Sequence, residues 1–91
     1  MKFFYPAVFK KINDEKYKVH FPDLDQCFAE GRTFDEALEN AKEAERNWIS
    51  IELEENLDLP SKSELSDILH DEGDIVQNVS VSLRLMEGYD E

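Results

Sequence analysis

Cysteine occurs once, at Cys27, so no internal disulfide can form and nothing indicates an oxidising compartment. Proline and glycine number three each, too few for a flexible linker or a low-complexity arm. Long apolar runs are missing, and none approaches the roughly 20 residues that a membrane-spanning helix needs. The opening MKFFYPAVFKK is basic, but Pro6 and the Lys10-Lys11 pair cut its apolar stretch short of a signal peptide. These absences together predict a cytoplasmic protein. Basic residues are also scarce: ten Lys and Arg stand against 22 Asp and Glu, a formal charge of −12. A chain so charged repels phosphate backbones, whose binding rests on Lys and Arg. It attracts a basic partner and speeds the encounter, although acidity also serves plain solubility.

The charge is unevenly placed. Residues 1–22 hold five lysines against two acids, Asp14 and Glu15, so the remaining residues carry the whole deficit. The hydrophobic fraction of 41% suffices for a folded core, and 91 residues make one domain, 1–91. A core this small gains from a partner or from self-association.

FFYPAVFK reads as a first strand, edge-like or bulged on one side at Pro6. INDEK is a turn, and YKVHF alternates, with Tyr17, Val19 and Phe21 on one face and Lys18 and His20 on the other. After Pro22 and the loop DLDQ, CFAE supplies a third strand, so residues 1–31 hold a hairpin and one further strand. Gly31 is free to take a positive φ at the turn that follows. Thr33 opens a helix over 33–55 through a capping box: its hydroxyl accepts from the Glu36 amide, and the Glu36 carboxylate returns to the Thr33 amide. Phe34, Ala37, Leu38, Ala41, Ala44, Trp48 and Ile51 form its apolar stripe. Glu45 and Glu52 fall within that stripe, where an unpaired carboxylate is costly. The reading adopted is that the helix overhangs a small sheet, so its second half meets solvent or another chain. A short helix follows over 63–70, with Ser61 or Ser63 placed to cap it. The last strand spans 74–84, with Val79, Val81 and Leu83 facing one way and Asn78, Ser80 and Ser82 the other. Residues 86–91 read as a tail. The order β-β-β-α-β is α+β: a small, mostly antiparallel sheet of three to four strands with one long helix packed on one face.

No pattern of reactive groups accompanies this fold. Asp23, Asp25 and Glu30 lie close in sequence but lack a metal-ligand spacing. Cys27 and His20 have no orienting third group, so Cys27 reads as a buried thiol and His20 as a solvated or ion-paired side chain. His70 suits the C-terminus of the short helix. Trp48 reads as core or as a contact between chains rather than a base-stacking platform. No cofactor and no metal are expected, and the chain is read as a binding protein, not an enzyme. A small metal-dependent nuclease using Asp14, Asp23 and Glu36 is the enzymatic alternative, disfavoured because the first strand carries no acid.

One resemblance covers residues 3–83. Tyr5-Pro6-Ala7 on the first strand, Phe21-Pro22-Asp23-Leu24 and Cys27 in the loop, Gly31, then Thr33, Glu36, Ala37, Leu38, Asn40, Ala41 and Ala44 on the helix are similar in order and spacing to the HicB antitoxin family. The usual Pro-Gly of the loop is Asp25-Gln26 here, and Glu45 stands at a usually apolar position. The resemblance implies a partial RNase H-like fold without nuclease carboxylates. It also implies a partner, a small basic HicA-type toxin that cleaves mRNA, whose RNA-binding or active surface the antitoxin masks. Many members continue into a DNA-binding domain; this sequence reaches Glu91 without one, so no direct nucleic-acid binding is expected. For the toxin contact the candidates are Asp23, Asp25, Glu30, Asp35, Glu39 and Glu43 as an acidic rim, with Leu24 as apolar anchor. For a homodimer or tetramer the candidates are Glu45, Trp48, Glu52, Val79 and Val81. A stand-alone homo-oligomer without a toxin is the remaining alternative.

Overall fold

Alternation of apolar residues in the first thirty positions produces three strands, and the periodic run after Thr33 produces the helix. A computed structural model describes residues 2–55 and 58–83. It contains β1 (Lys2–Asn13), β2 (Lys16–His20), β3 (Phe28–Gly31), α1 (Phe34–Glu55), a single 3-10 turn at Leu65–Asp67 and β4 (Ile75–Ser82). The four strands form one antiparallel sheet in the order β3-β2-β1-β4. Pro6 sits where the reading placed it: it lies opposite Asn78 of β4, while pairing with β2 runs only from Val8 to Asn13. Its missing amide therefore faces a stretch of β1 that β2 does not reach. The bulge lies further on, between Lys11 and Asn13.

The period of two along β1 separates two faces. Tyr5, Ala7 and Phe9 join Val19, Phe21, Val79, Val81 and Leu83 under α1, where Ala37, Ala41 and Ile49 complete the core. Phe34 closes one end, its ring 4.7 Å from that of Phe9 and 6.1 Å from that of Tyr17. Phe4, Pro6, Val8 and Lys10 point to the other face, beside Lys18, His20, Phe28 and Glu30.

The helix begins as its sequence dictates. Thr33 Oγ1 accepts from the Glu36 amide at 3.1 Å, but Glu36 Oε1 accepts from the Arg32 amide at 3.0 Å, one residue earlier than a standard capping box. Its contact line then departs from the expected stripe. Ala37, Ala41, Glu45 and Ile49 are buried, whereas Ile51 is 55% exposed. The buried positions follow a row of fours along one side of α1, and Ile51 falls outside that row. Glu45 is 0% exposed, so the overhang does not hold there; Glu52 is half-buried.

Gly31 serves a different end from the one expected. A positive φ occurs among the described residues at Gln26 (62°) and Gly73 (93°), not at Gly31. A Cβ on Gly31 would lie 2.4 Å from the Ala37 nitrogen, so glycine is needed there for the close approach of α1 to β3.

The expected helix over 63–70 is reduced to the turn at Leu65–Asp67, whose N-cap Glu64 makes no side-chain cap. The segment is held by side chains instead. Tyr5 Oη donates to the Pro60 carbonyl at 2.6 Å. The Ser63 amide and hydroxyl both donate to the Asp23 carboxylate at 2.7 Å. Lys62 lies 4.8 Å from the centre of the Phe4 ring, and Lys10 pairs with Asp71 and Asp74. These contacts carry the chain to the open face of the sheet, where Ile68 is buried. The last strand ends at Ser82; position 84 and the tail 86–91 lie outside the described residues.

Candidate protein-binding surface

The loop between β2 and β3 turns back on itself. The Leu24 amide donates to the Phe21 carbonyl, the Cys27 amide to Leu24, and the Phe21 amide to Cys27, at 3.1–3.2 Å. Gln26 takes the left-handed backbone there, a conformation that costs a non-glycine residue about 1 kcal/mol. Trp48 Nε1 donates to the Asp25 carbonyl at 2.7 Å, tying the loop to the middle of α1.

This geometry divides the expected contact residues. Leu24 is 1% exposed and belongs to the core, so it cannot anchor a partner. A lone apolar residue in a closed loop has folded inward. Asp23 is half-buried and spends both carboxylate oxygens on Ser63. Glu30 projects from the open face of the sheet, 3.9 Å from Lys16. Asp25 is exposed on the loop. Asp35, Glu39 and Glu43 remain: all are exposed, and their spacing of four aligns them along the solvent side of α1. Only Lys42 offsets this ridge, 3.3 Å from Glu39, among the described ion pairs.

The residues expected between chains divide as well. Val79 and Val81 are 2% and 4% exposed beneath α1, and Glu45 is sealed in the core, so none offers a side chain to another protein. Trp48 is half-buried against the core, its indole N–H already engaged.

The titratable groups of the interior are pushed toward neutrality. Burial raises the Glu45 carboxyl to about 8, opposed by the Arg46 charge and the Tyr5 amide, and both its oxygens lack a hydrogen-bond partner. Burial, and then Glu45, raise the Cys27 thiol to about 11, which suppresses the thiolate a nucleophile would need. Burial, then Asp23 and Glu45, raise the Tyr5 phenol. Asp14, Asp23 and Glu36 fall on a hairpin turn, a pinned loop and a helix cap, and no group of three metal-binding side chains occurs among the described residues.

The opposite side of the molecule is a shallow groove on the open sheet face. Its lining includes Lys10, Lys18, Phe28 and Leu69 together with the acids Glu30, Asp71 and Asp74. Phe28 and Leu69 are 62% and 93% exposed. The lysines of the N-terminal third thus lie on the sheet, while the acids of α1 face away from it.

This fold has known counterparts. A family model described as HicB_like antitoxin of bacterial toxin-antitoxin system matches residues 5–89. A 14.9 kDa protein from Haemophilus phage HP1 is 38% identical over 66 residues, 72% of this chain and 49% of that one, so the chain spans about half the length of this curated relative. A chain of the HicA3 and HicB3 toxin-antitoxin complex superposes with a TM-score of 0.64 at 32% identity, covering 84% of this chain and 94% of that chain. The N-terminal domain of the Burkholderia pseudomallei antitoxin HicB gives a TM-score of 0.75 at 25% identity, covering 89% of this chain and all of that domain. The chain belongs to the HicB-like antitoxin family of bacterial toxin-antitoxin systems.

Proposed function

We propose that this chain binds and neutralises a small basic HicA-type toxin, laying the acidic ridge of α1 over the positive surface with which that toxin grips RNA. The observation that carries the reading is the exposed alignment of Asp35, Glu39 and Glu43 along one helix side, in a chain of the antitoxin family with a formal charge of −12. Carboxylates in such a row can occupy the places of RNA phosphates, and each charge-assisted hydrogen bond is stronger than a neutral one. Rim charges of this kind act mainly on the rate of encounter and on partner choice. The chain acts by covering an enzyme rather than by catalysis, in the cytoplasm, and as a homo-oligomer.

The test is co-expression with the toxin encoded beside it. A triple Asp35→Lys, Glu39→Lys, Glu43→Lys variant is expected to lose about tenfold or more in toxin affinity and to fail to rescue growth. Its helix should persist, because all three positions are exposed. Circular dichroism checks this. Unchanged capture by the folded triple variant would remove the ridge from the interface.

A further inference from the structure

Two rows of fours run along opposite sides of α1. Ala37, Ala41, Glu45 and Ile49 are buried. Asp35, Glu39, Glu43, Asn47, Ile51 and Glu55 stand two residues out of step, about 200° round the axis at 3.6 residues per turn, and all are exposed. The acidic ridge therefore continues past Glu43 into an uncharged stretch and returns to an acid at Glu55. Ile51 in that stretch is 55% exposed, and of the exposed large apolar residues among those described it alone lies on α1. Trp48, three positions before it, is its neighbour on the helix surface and is only half-buried. The indole is fixed there, because its N–H donates to the Asp25 carbonyl at 2.7 Å. A single exposed isoleucine is ordinary on a protein surface. An isoleucine beside an anchored indole, in line with a ridge of acids, makes an apolar centre with a charged rim, which is the anatomy of a protein interface.

We propose that Ile51, with the exposed part of Trp48, is the apolar anchor of the toxin contact, a role that rests on the ridge reading of the proposed function. The sequence pointed to Leu24 for this part, but Leu24 lies in the core. Without an anchor the ridge holds charges alone, and rim charges set the rate of encounter more than the time two proteins stay together. Neutralising an enzyme needs the second. Charge complementarity names the occupant. An acidic row repels a second copy of a chain of −12 and attracts a basic protein. Surfaces that hold RNA also combine cations for the phosphates with apolar and aromatic faces on which bases lie. The acids of α1 then stand in for phosphates, and Ile51 for a base. Glu43 and Ile51 are eight residues apart, about 12 Å along the axis, so one small protein reaches both.

Binding to the HicA-type toxin encoded beside this chain is followed by surface plasmon resonance for the wild type, Ile51→Ala, Ile51→Glu and the triple Lys variant of the ridge. Ile51→Ala is expected to dissociate about tenfold faster, while its association rate stays within about twofold of wild type. Ile51→Glu is expected to dissociate faster still, although it adds an acid facing a basic protein, because a carboxylate has no place in an apolar seat. Tighter binding by Ile51→Glu would show that charge alone governs this face and overturn the anchor. Both variants should keep the wild-type Tm, since Ile51 is exposed. A markedly lower Tm would place Ile51 in the core and overturn the anchor as well. If both Ile51 variants dissociate as the wild type does while the ridge variant loses capture, the anchor falls and the ridge stands. A wild-type chain that captures no toxin overturns both. Light scattering of the chain alone covers the remaining occupant: Ile51 variants that change its oligomeric state and leave the toxin kinetics untouched would assign Ile51 to a contact between copies, and so refute the proposal.

Discussion

Glu45 lies in the core with neither carboxylate oxygen in a well-formed hydrogen bond, and the Tyr5 amide gives its charge only partial support. The groups nearest it electrically are the Cys27 thiol, the Tyr5 phenol and amide, and the Arg46 charge, which is too exposed to neutralise it. The side chain is therefore held as the neutral acid, its proton leaving only at about 8 instead of near 4.5. The sign of the consequence follows from linkage. The folded chain binds this proton more tightly than the unfolded chain, so the contribution to stability is full below about 4.5, shrinks as pH climbs toward about 8, and changes no further above that. Each tenfold difference in proton affinity is worth about 1.4 kcal/mol, so the effect amounts to a few kcal/mol. Glu45→Leu is expected to raise the Tm most at pH 8 and least at pH 5. Denaturant titration across this window checks it, and a pH-independent difference between the two proteins would show that Glu45 is ionised in the fold. The anomaly was visible in the sequence as an acid within an apolar stripe; its burial was not, because periodicity locates a face without saying how far the sheet extends beneath it.

At the scale of elements, the start of α1 and the strands β1, β2 and β4 were legible because each rests on local signals: a capping threonine, alternation, a proline. The line of contact along α1 was not. It depends on how the helix lies against the sheet, which buries Ile49 and leaves Ile51 exposed, and no residue within the helix sets that alone. The segment 63–70 reads as a short helix, and only the 3-10 turn at Leu65–Asp67 forms there, for a related reason. Its conformation is set by partners distant in sequence, Tyr5, Asp23 and Lys10, rather than by its own pattern. The same distance obscured the candidate site, since Asp23 and Leu24 look like surface loop residues until Ser63 and the core claim them. The junction of β3 with α1 shows what the sequence did carry in disguise. Gly31 looked like a turn glycine, but its role is to let the backbone at Ala37 come close. Gly31→Ala is expected to cost about 1–3 kcal/mol by forcing α1 off β3, as overpacking of a tight contact does. Urea unfolding measures this. Stability within a few tenths of a kcal/mol of wild type would mean that the helix shifts freely at this point.

Over the whole molecule, the lysines of the sheet side stand among acids, Lys10 paired with Asp71 and Asp74 and Lys16 with Glu30, whereas the acids of α1 face solvent with little to offset them. Lys10, Lys16, Lys18 and Lys62 lie on or beside the open face, while Asp35, Glu39 and Glu43 face solvent on α1. Capture of a basic toxin by the ridge draws on long-range attraction and should respond to salt. Raising salt from about 0.01 M to about 1 M shortens the screening length from roughly 30 Å to roughly 3 Å. The association rate with the toxin is expected to fall steeply over this range. Stopped-flow mixing reads it. A rate that does not change with salt would mean that the acidic ridge does not steer the encounter.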